Sequence, residues 1–381
     1  MGLLRLLLAL AVVGDHVLPP FPWLRLTTGI MAVEVFFVIS GFYMQMVLSQ
    51  RYASAAAFYL SRAFRIFPTY WIVAALALAF WPASGFRDIA GLGWQPAILV
   101  FASNILIVLQ DTLLFLGVDH GELFFTADFH STAPQLSSYL IVRPSWTLAL
   151  ELYFYLLAPV LARLRGVYLG AIALVLTGAR LAAYGAGLDH DPWFYRFFPF
   201  ELPLFVLGML SFRLLRQIEV LPLLKSKAIA LVAIAGLIVL GQHFVLNVPE
   251  QYGFVAAALA AAVAPVAFTA FKDVSIDRFV GDLSYPIYLV HFPIIQFLSN
   301  DYVVVVAISL LVSCLIVVGL DRPLDRLRHR LADENWNKSH PVPAITAEAA
   351  LGLANTADSQ SGLRPDLGPL ADVDSEIANV G

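Results

Sequence analysis

Two ionisable side chains, Arg5 and His16, stand eleven residues apart in the first apolar run of the sequence. On a helix that spacing is about three turns. At ~100° per residue the two side chains return to within about 20° of each other, ~16 Å apart along the axis. An imidazole can serve as a general base near neutral pH. A guanidinium can orient an anionic ligand or stabilise an oxyanion. The pair therefore reads as a polar stripe on an apolar helix, leading from a cationic foot to a basic head. A second reading stays open on these two residues alone: Arg5 snorkels to lipid headgroups and His16 is satisfied at the interface.

Further residues of the same kind follow. Glu34 lies within GIMAVEVFFVISGFYMQM and must find a partner or water, while Ser40-Gly41 in the same run permits close helix packing. Arg62 and Arg65 in FYLSRAFRIFPTYW are neighbours on one helix face, and the planar guanidinium fork suits phosphate oxygens. Pro68 is expected to begin the next apolar span. Glu151 in SWTLALELYFYLLAP has no evident structural partner, so it either takes up a proton or orients another group. Arg196 and Glu201 fall near the outer end of a later run, and Tyr285, Tyr288 and His291 share LSYPIYLVHFPII. Glu34, Arg196, Tyr288 and His291 are candidates for lining one cavity.

The elements that must hold these residues are membrane helices. The chain has 381 residues, 60% hydrophobic and 13% charged, with a mean hydropathy of +0.80. A soluble domain is about 25% charged, so too few polar residues are present to cover a water-facing surface. Apolar runs of the length a ~30 Å bilayer core requires recur near 1–18, 30–49, 67–82, 95–117, 145–162, 167–186, 200–215, 228–246, 252–271, 284–299 and 302–320. They do not alternate as β-barrel strands do, so they are expected to be helices. The first run carries Arg5, Asp15 and His16 and lacks a small-residue cleavage site, so it reads as a retained span. A lone cysteine, Cys314, excludes an internal disulfide and a thiol metal cluster.

Charge bias orders these runs. Arg51, Arg62 and Arg65; Arg213, Arg216, Lys225 and Lys227; and Arg322, Arg326, Arg328 and Arg330 form three basic clusters, all expected in the cytoplasm. Eleven crossings cannot place all three on one side; ten can. The stretch 95–117, interrupted by Asn104, Gln110 and Asp111, is expected to be re-entrant or interfacial. The acidic loop 118–143 then falls outside and both termini inside. The fold expected is all-α: a polytopic bundle of about ten helices over 1–331. Residues 332–381, rich in acidic, Pro, Gly, Ser and Ala residues, are expected to form a disordered cytoplasmic tail. No internal repeat supports an inverted-repeat transporter.

Taken in order, the Arg5/His16 pair, FFVISGF, SRAFRIFPTYW, SWTLALELYFYLLAP and LSYPIYLVHFP resemble the acyltransferase-3 family of integral membrane O-acyltransferases over roughly residues 1–323. The resemblance implies ten membrane helices, acyl-CoA as donor and no metal. It also implies acyl transfer from the cytoplasmic side to an acceptor beyond the membrane. It makes His16 the catalytic histidine, Arg5 its essential partner, Arg62 and Arg65 the RxxR pair, and Glu151 the acidic residue of the tryptophan motif. Several positions depart from the family pattern: a short lead before Arg5, Glu34 where Asp is frequent, Thr147 for Ser, Asp321 in LDRP, and Asp15 before His16. No segment reads as a fused hydrolase-like domain.

The function expected is transfer of an acetyl or other short acyl group from acyl-CoA, with acetyl-CoA the first choice, to a hydroxyl of a cell-surface or exported glycan. The partners are then a carbohydrate acceptor and membrane lipid, not nucleic acid, and the site of action is the inner (plasma) membrane. Arg62 and Arg65 would bind the donor's phosphates and Arg5 orient the donor or stabilise the oxyanion. His16 would act as base, with Glu151 or Glu34 fixing its tautomer. A covalent acyl-histidine route is left open by the sequence. The rival class is a proton-coupled transporter or flippase of a small or lipid-linked sugar, with His16, Glu34, Glu151 and His291 as a relay.

Overall fold

The computed structural model describes residues 1–52, 54–218 and 222–326. The acidic stretch 332–381 and its boundary at 331/332 lie outside the described residues. The described chain is helical apart from one small hairpin. In order it forms α1 (Gly2–His16), α2 (Gly29–Gln50), α3 (Ala55–Ala79), α4 (Ala83–Gly91) and α5 (Trp94–Leu106). Next come an antiparallel pair, β1 (Leu116–Asp119) and β2 (Glu122–Phe125), then α6 (Trp146–Leu161), α7 (Gly166–Gly185) and the single turn α8 (Trp193–Arg196). The chain continues with α9 (Phe198–Ile218), α10 (Lys227–Asn247), α11 (Gly253–Phe271), α12 (Ser275–Phe297) and α13 (Tyr302–Ile316). A π-type turn over Val317–Asp321 prolongs α13.

Among the described residues, seven helices are long and apolar enough to cross a membrane: α2, α3, α6, α7, α9, α11 and α13. Apolar side chains of these helices and of the shorter apolar run in α10 face outward as well as inward. Leu174 and Val175 on α7, Val232 and Val239 on α10, and Leu311 and Leu315 on α13 are all exposed. Such a belt is unfavourable in water and suits lipid. The core is built around α2, which is buried along most of its length. Where α2 crosses α9, Gly41 lies against the Phe205 carbonyl and Gly208 against the Val38 carbonyl, so closely that a Cβ on either glycine would collide. Against α12, the side chain of Asp277 accepts from the amides of Gly2 and Leu3 at 2.7 and 2.8 Å, capping the first turn of α1.

Two expected boundaries are corrected. The third apolar run does not begin at Pro68. Ser54 caps a helix that starts at Ala55, and Pro68 lies inside it, so Arg62 and Arg65 ride on the spanning helix itself. Likewise α12 starts at Ser275, nine residues before the apolar run. Both beginnings carry charged residues that face protein, which hydropathy alone reads as loop.

The stretch 95–117 is not one continuous helix. α5 has thirteen residues and rises about 20 Å, short of a ~30 Å core. It ends where Ile107 and Leu109 take left-handed φ values of 66° and 69°. Tyr70 of α3 donates to the Asn104 carbonyl at 2.7 Å, and Tyr153 of α6 donates to Asp111 at 2.8 Å. The turn is thus held against the middle of two long helices. The chain then folds back over α4 and α5, burying Leu113, Leu136 and Leu140 in a small separate core with Ile89, Leu92 and Val100.

Candidate functional site

Arg5, Arg62, Arg65 and Arg213 lie toward one end of the bundle. Arg213 donates to the carbonyls of Ala162 and Leu164 at 2.9 and 2.7 Å, and Arg65 is surrounded by Asp282, Asp321 and Asp325. The first turn of α1 and residues 322–326 also lie at this end, both beside the start of α12. His16, Arg143, Arg196 and the loop carrying His130 lie at the other end.

A cavity of about 890 Å³ lies toward the basic end. Arg5, Arg62, Arg65, Glu151 and Tyr155 line it, with Tyr285 and Tyr288 of α12. Glu151 accepts from Ser40 Oγ at 2.8 Å and from the Tyr155 hydroxyl at 2.6 Å. Arg62 is buried, 3% exposed, with its guanidinium facing the rings of Phe58 and Tyr155. It donates to Ser61, whose hydroxyl is fixed in turn by Tyr52. Arg65 faces the ring of Tyr285. The chamber is thus lined by three guanidiniums and one carboxylate from three helices, α1, α3 and α6.

A second cavity, of about 1090 Å³, lies toward the other end. His16 and Asp15 border it, as do Arg143, Trp146, Arg196 and Phe292. The His16 ring meets Phe292 edge-on at 5.5 Å and lies 5.2 Å from the ring of His291. Its Nδ1 is 2.9 Å from the Val12 carbonyl. A carbonyl can only accept, so Nδ1 carries the proton and Nε2 keeps its lone pair in the neutral ring. Arg196 forms a two-pronged pair with Asp191 and stacks on Trp146 at 4.5 Å. Arg143, exposed to the cavity, lies over the other neighbour of His16, Phe292, at 5.4 Å.

Val33 and Tyr288 border both chambers. The Tyr288 hydroxyl donates to the Pro144 carbonyl at 3.0 Å and is 2.9 Å from Thr147 Oγ1. The two chambers therefore stack end to end along α1 and α12, with the Tyr288 ring at their junction.

The structure brings together most of the residues singled out by sequence and separates others. Arg5 and His16 share a face of α1, as their spacing requires, but line different chambers. Arg5 is therefore distant from any oxyanion formed beside His16; the guanidiniums in His16's own chamber are Arg143 and Arg196. Neither Glu34 nor Glu151 fixes the His16 tautomer, because the Val12 carbonyl does. Glu34 lines neither chamber. It is buried against Arg180 of α7 at 3.0 Å, and the same guanidinium lies 3.2 Å from Glu201. His291 is fully buried behind His16, its Nδ1 on the Ile287 carbonyl. Asp15 binds Arg25 at 2.9 Å and abuts Gly29, where a Cβ would stand 2.8 Å from its carboxylate, so it pins the α1–α2 connection. Arg143 and Arg180 were not singled out. Arg180 sits alone in the apolar run LTGARLAAYG, and its cost in lipid was a signal for it.

The acyltransferase domain family matches residues 1–320. The chain belongs to the acyltransferase-3 family. It is 29% identical over 275 residues to the exopolysaccharide production protein ExoZ of Rhizobium meliloti (strain 1021), an alignment covering 70% of this chain and 76% of the relative. No solved structure matches. With the family established, the protein is a multi-pass membrane acyltransferase. The two-chamber arrangement is the frame in which its chemistry must occur.

Proposed function

We propose that this acyltransferase moves an acetyl or other short acyl group from cytoplasmic acyl-CoA to a hydroxyl of an exported or cell-surface glycan. The observation that carries the reading is the pair of stacked chambers, cationic at one end and holding an imidazole base at the other. A glycan acceptor is supported by the likeness to an exopolysaccharide production protein. In this reading ten helices cross the inner membrane: α1, α2, α3, α6, α7 and α9 to α13. α5 is re-entrant, and the basic end with both termini faces the cytoplasm, in line with the positive-inside rule.

Acyl-CoA enters the cationic chamber, where Arg62 and Arg65 hold phosphate oxygens and Arg5 orients the donor. Glu151, held by Ser40 and Tyr155, offsets part of that charge. The acyl thioester extends past Tyr288 into the outer chamber. His16 Nε2 takes the proton of the acceptor hydroxyl as its oxygen attacks the thioester carbonyl. The C–S bond then breaks, and the departing thiolate takes the proton from the imidazolium. Arg196 on Trp146, with Tyr195, offers the acceptor sugar a polar and aromatic wall. Glu34 has no part in this path, since its carboxylate is committed to Arg180.

The test uses proteoliposomes with acetyl-labelled acetyl-CoA inside and the cell's own glycan fraction outside. Wild-type protein is expected to place label on the glycan. His16→Ala is expected to lower the rate about 10²–10⁴-fold, the usual worth of a positioned base, while the protein remains folded in the bilayer. Label transfer undiminished in His16→Ala removes the base assignment. Glycan crossing the bilayer without gaining label would instead assign a transporter.

A further inference from the structure

At the basic end, beside the donor chamber, lies a separate open pocket of about 680 Å³. Arg278, Phe279 and Asp282 of α12 form one side, and Arg322, Asp325 and Arg326 the other. On the reading that the donor is an acyl-CoA, we propose that this pocket binds the 3′-phosphoadenosine end of that donor.

Three features of the pocket carry the proposal. The first is charge. Asp282 and Asp325 both face Arg65, which lines the donor chamber. Arg65 offsets part of their charge, and within the pocket itself the three guanidiniums of Arg278, Arg322 and Arg326 outnumber the two carboxylates. Three forks around one opening suit a phosphate monoester. The second is an aromatic face. The Arg322 guanidinium is stacked 4.8 Å from the Phe279 ring, and a flat purine can join such a stack. The third is reach. Arg278 and His291 are thirteen residues apart on α12, a rise of about 20 Å, and His291 lies against His16. A ligand anchored at the rim reaches His16 only through a long, thin arm of the pantetheine kind.

The cations of the donor chamber are less accessible than those of this pocket. Arg62 is 3% exposed and enclosed by Phe58 and Tyr155, whereas Arg322 and Arg326 are exposed. The buried site suits the slim, phosphate-bearing part of the donor and the open one its nucleoside end. Arg65 links the two spaces, since it lines the chamber and faces the two carboxylates of the pocket. The donor then runs from the rim past Arg65 and Arg62 to the outer chamber, with one group of cations for its 3′-phosphate and one for its pyrophosphate.

The experiment is equilibrium binding to the full chain in micelles of uncharged detergent, with labelled acetyl-CoA and labelled acetyl-3′-dephospho-CoA. Wild-type protein is expected to hold acetyl-CoA on the order of tenfold more tightly, the effect of about 1.4 kcal/mol from one charge-assisted contact. Arg278→Gln and Arg326→Gln are each expected to shrink that ratio severalfold while leaving the dephospho donor's affinity unchanged. Adenosine 3′,5′-bisphosphate is expected to displace acetyl-CoA from wild type and more weakly from the variants. Equal losses for both donors would mean a merely structural role, and an unchanged ratio would mean no phosphate contact; either overturns the proposal. So would variants whose only change is weaker retention of added phosphatidylglycerol, which would make the rim a lipid headgroup site. If wild type binds neither thioester, the acyl-CoA reading itself fails, an outcome distinct from the loss of the pocket alone.

Discussion

At the scale of single residues, the outer chamber depends on an ion cluster it does not contain. Arg180 is almost fully buried and meets two carboxylates, Glu34 and Glu201. It also donates to the carbonyls of Phe194 and Phe200, which flank the break between α8 and α9. That guanidinium is thus one tie that places α8, and with it Arg196 on Trp146, beside Tyr184, which donates to the same Phe194 carbonyl, and Trp193, which donates to the Ala127 carbonyl. Replacing Arg180 with Met would leave two buried acidic groups and no cation. Breaking a buried pair in this way costs about 3–5 kcal/mol, so the folded fraction in detergent is expected to fall sharply on size exclusion. Glu34→Gln leaves one cation with one carboxylate and is expected to fold, with activity per folded molecule near wild type. Loss of activity in well-folded Glu34→Gln would return Glu34 to the catalytic path. The sequence made Glu34 legible as a residue in need of a partner. It could not name Arg180, 146 residues away in the chain, because that pairing is made only once α2 and α7 both pack against α9.

At the scale of elements, what the sequence conveyed well was apolar length, and what it conveyed poorly was where polar helix begins. Ahead of their apolar runs α3 carries Arg62 and Arg65 and α12 carries Asp277, Arg278 and Asp282, so a hydropathy window cuts both helices short. The interruption of 95–117 was legible because Asn104, Gln110 and Asp111 cannot face lipid without partners. Gln110 finds Tyr70 of α3 and Ser145 of the turn before α6, Asp111 finds Tyr153 of α6, and the Asn104 amide bonds the backbone of Tyr139 and Ile141. Ser40-Gly41 was legible as a close-packing site, but its counterpart was not. Gly41 of α2 and Gly208 of α9 each face a carbonyl of the other helix, so a methyl at either site must push the backbones apart. Overpacking typically costs 1–3 kcal/mol, and here the obstacle is backbone, which cannot rotate away. Gly41→Ala and Gly208→Ala are each expected to lower the melting temperature in detergent by several degrees, and Gly178→Ala, where nothing lies within 4 Å, is expected to leave it unchanged. Equal melting temperatures for all three would mean the helices are not held at this crossing.

At the scale of the whole molecule, the proposed reaction requires two spaces at opposite ends of a bundle to exchange a thioester without exchanging water. The sequence carried the ends of this path, since Arg5 and His16 could be placed on one face of α1. It did not carry the junction, which combines α2, α6 and α12 around one phenol. Tyr288 is 7% exposed, and its hydroxyl meets Thr147 Oγ1 and the Pro144 carbonyl, which Thr147 also bonds at 3.0 Å. Tyr288→Phe therefore removes a latch without orphaning the carbonyl, and the ring still fills the junction. A net of about 1 kcal/mol for each bond lost makes the open arrangement on the order of tenfold more frequent. If the latch governs passage, water from the outer chamber reaches the thioester more often. Acyl-CoA hydrolysis without acceptor is then expected to rise severalfold in Tyr288→Phe while glycan acylation per acyl-CoA consumed falls. Thr147→Val removes the Tyr288–Thr147 bond from the other side, so adding it to Tyr288→Phe is expected to produce less than the product of the two single effects. Hydrolysis unchanged in both single variants would mean that the acyl group passes between the chambers by a route that does not involve this phenol.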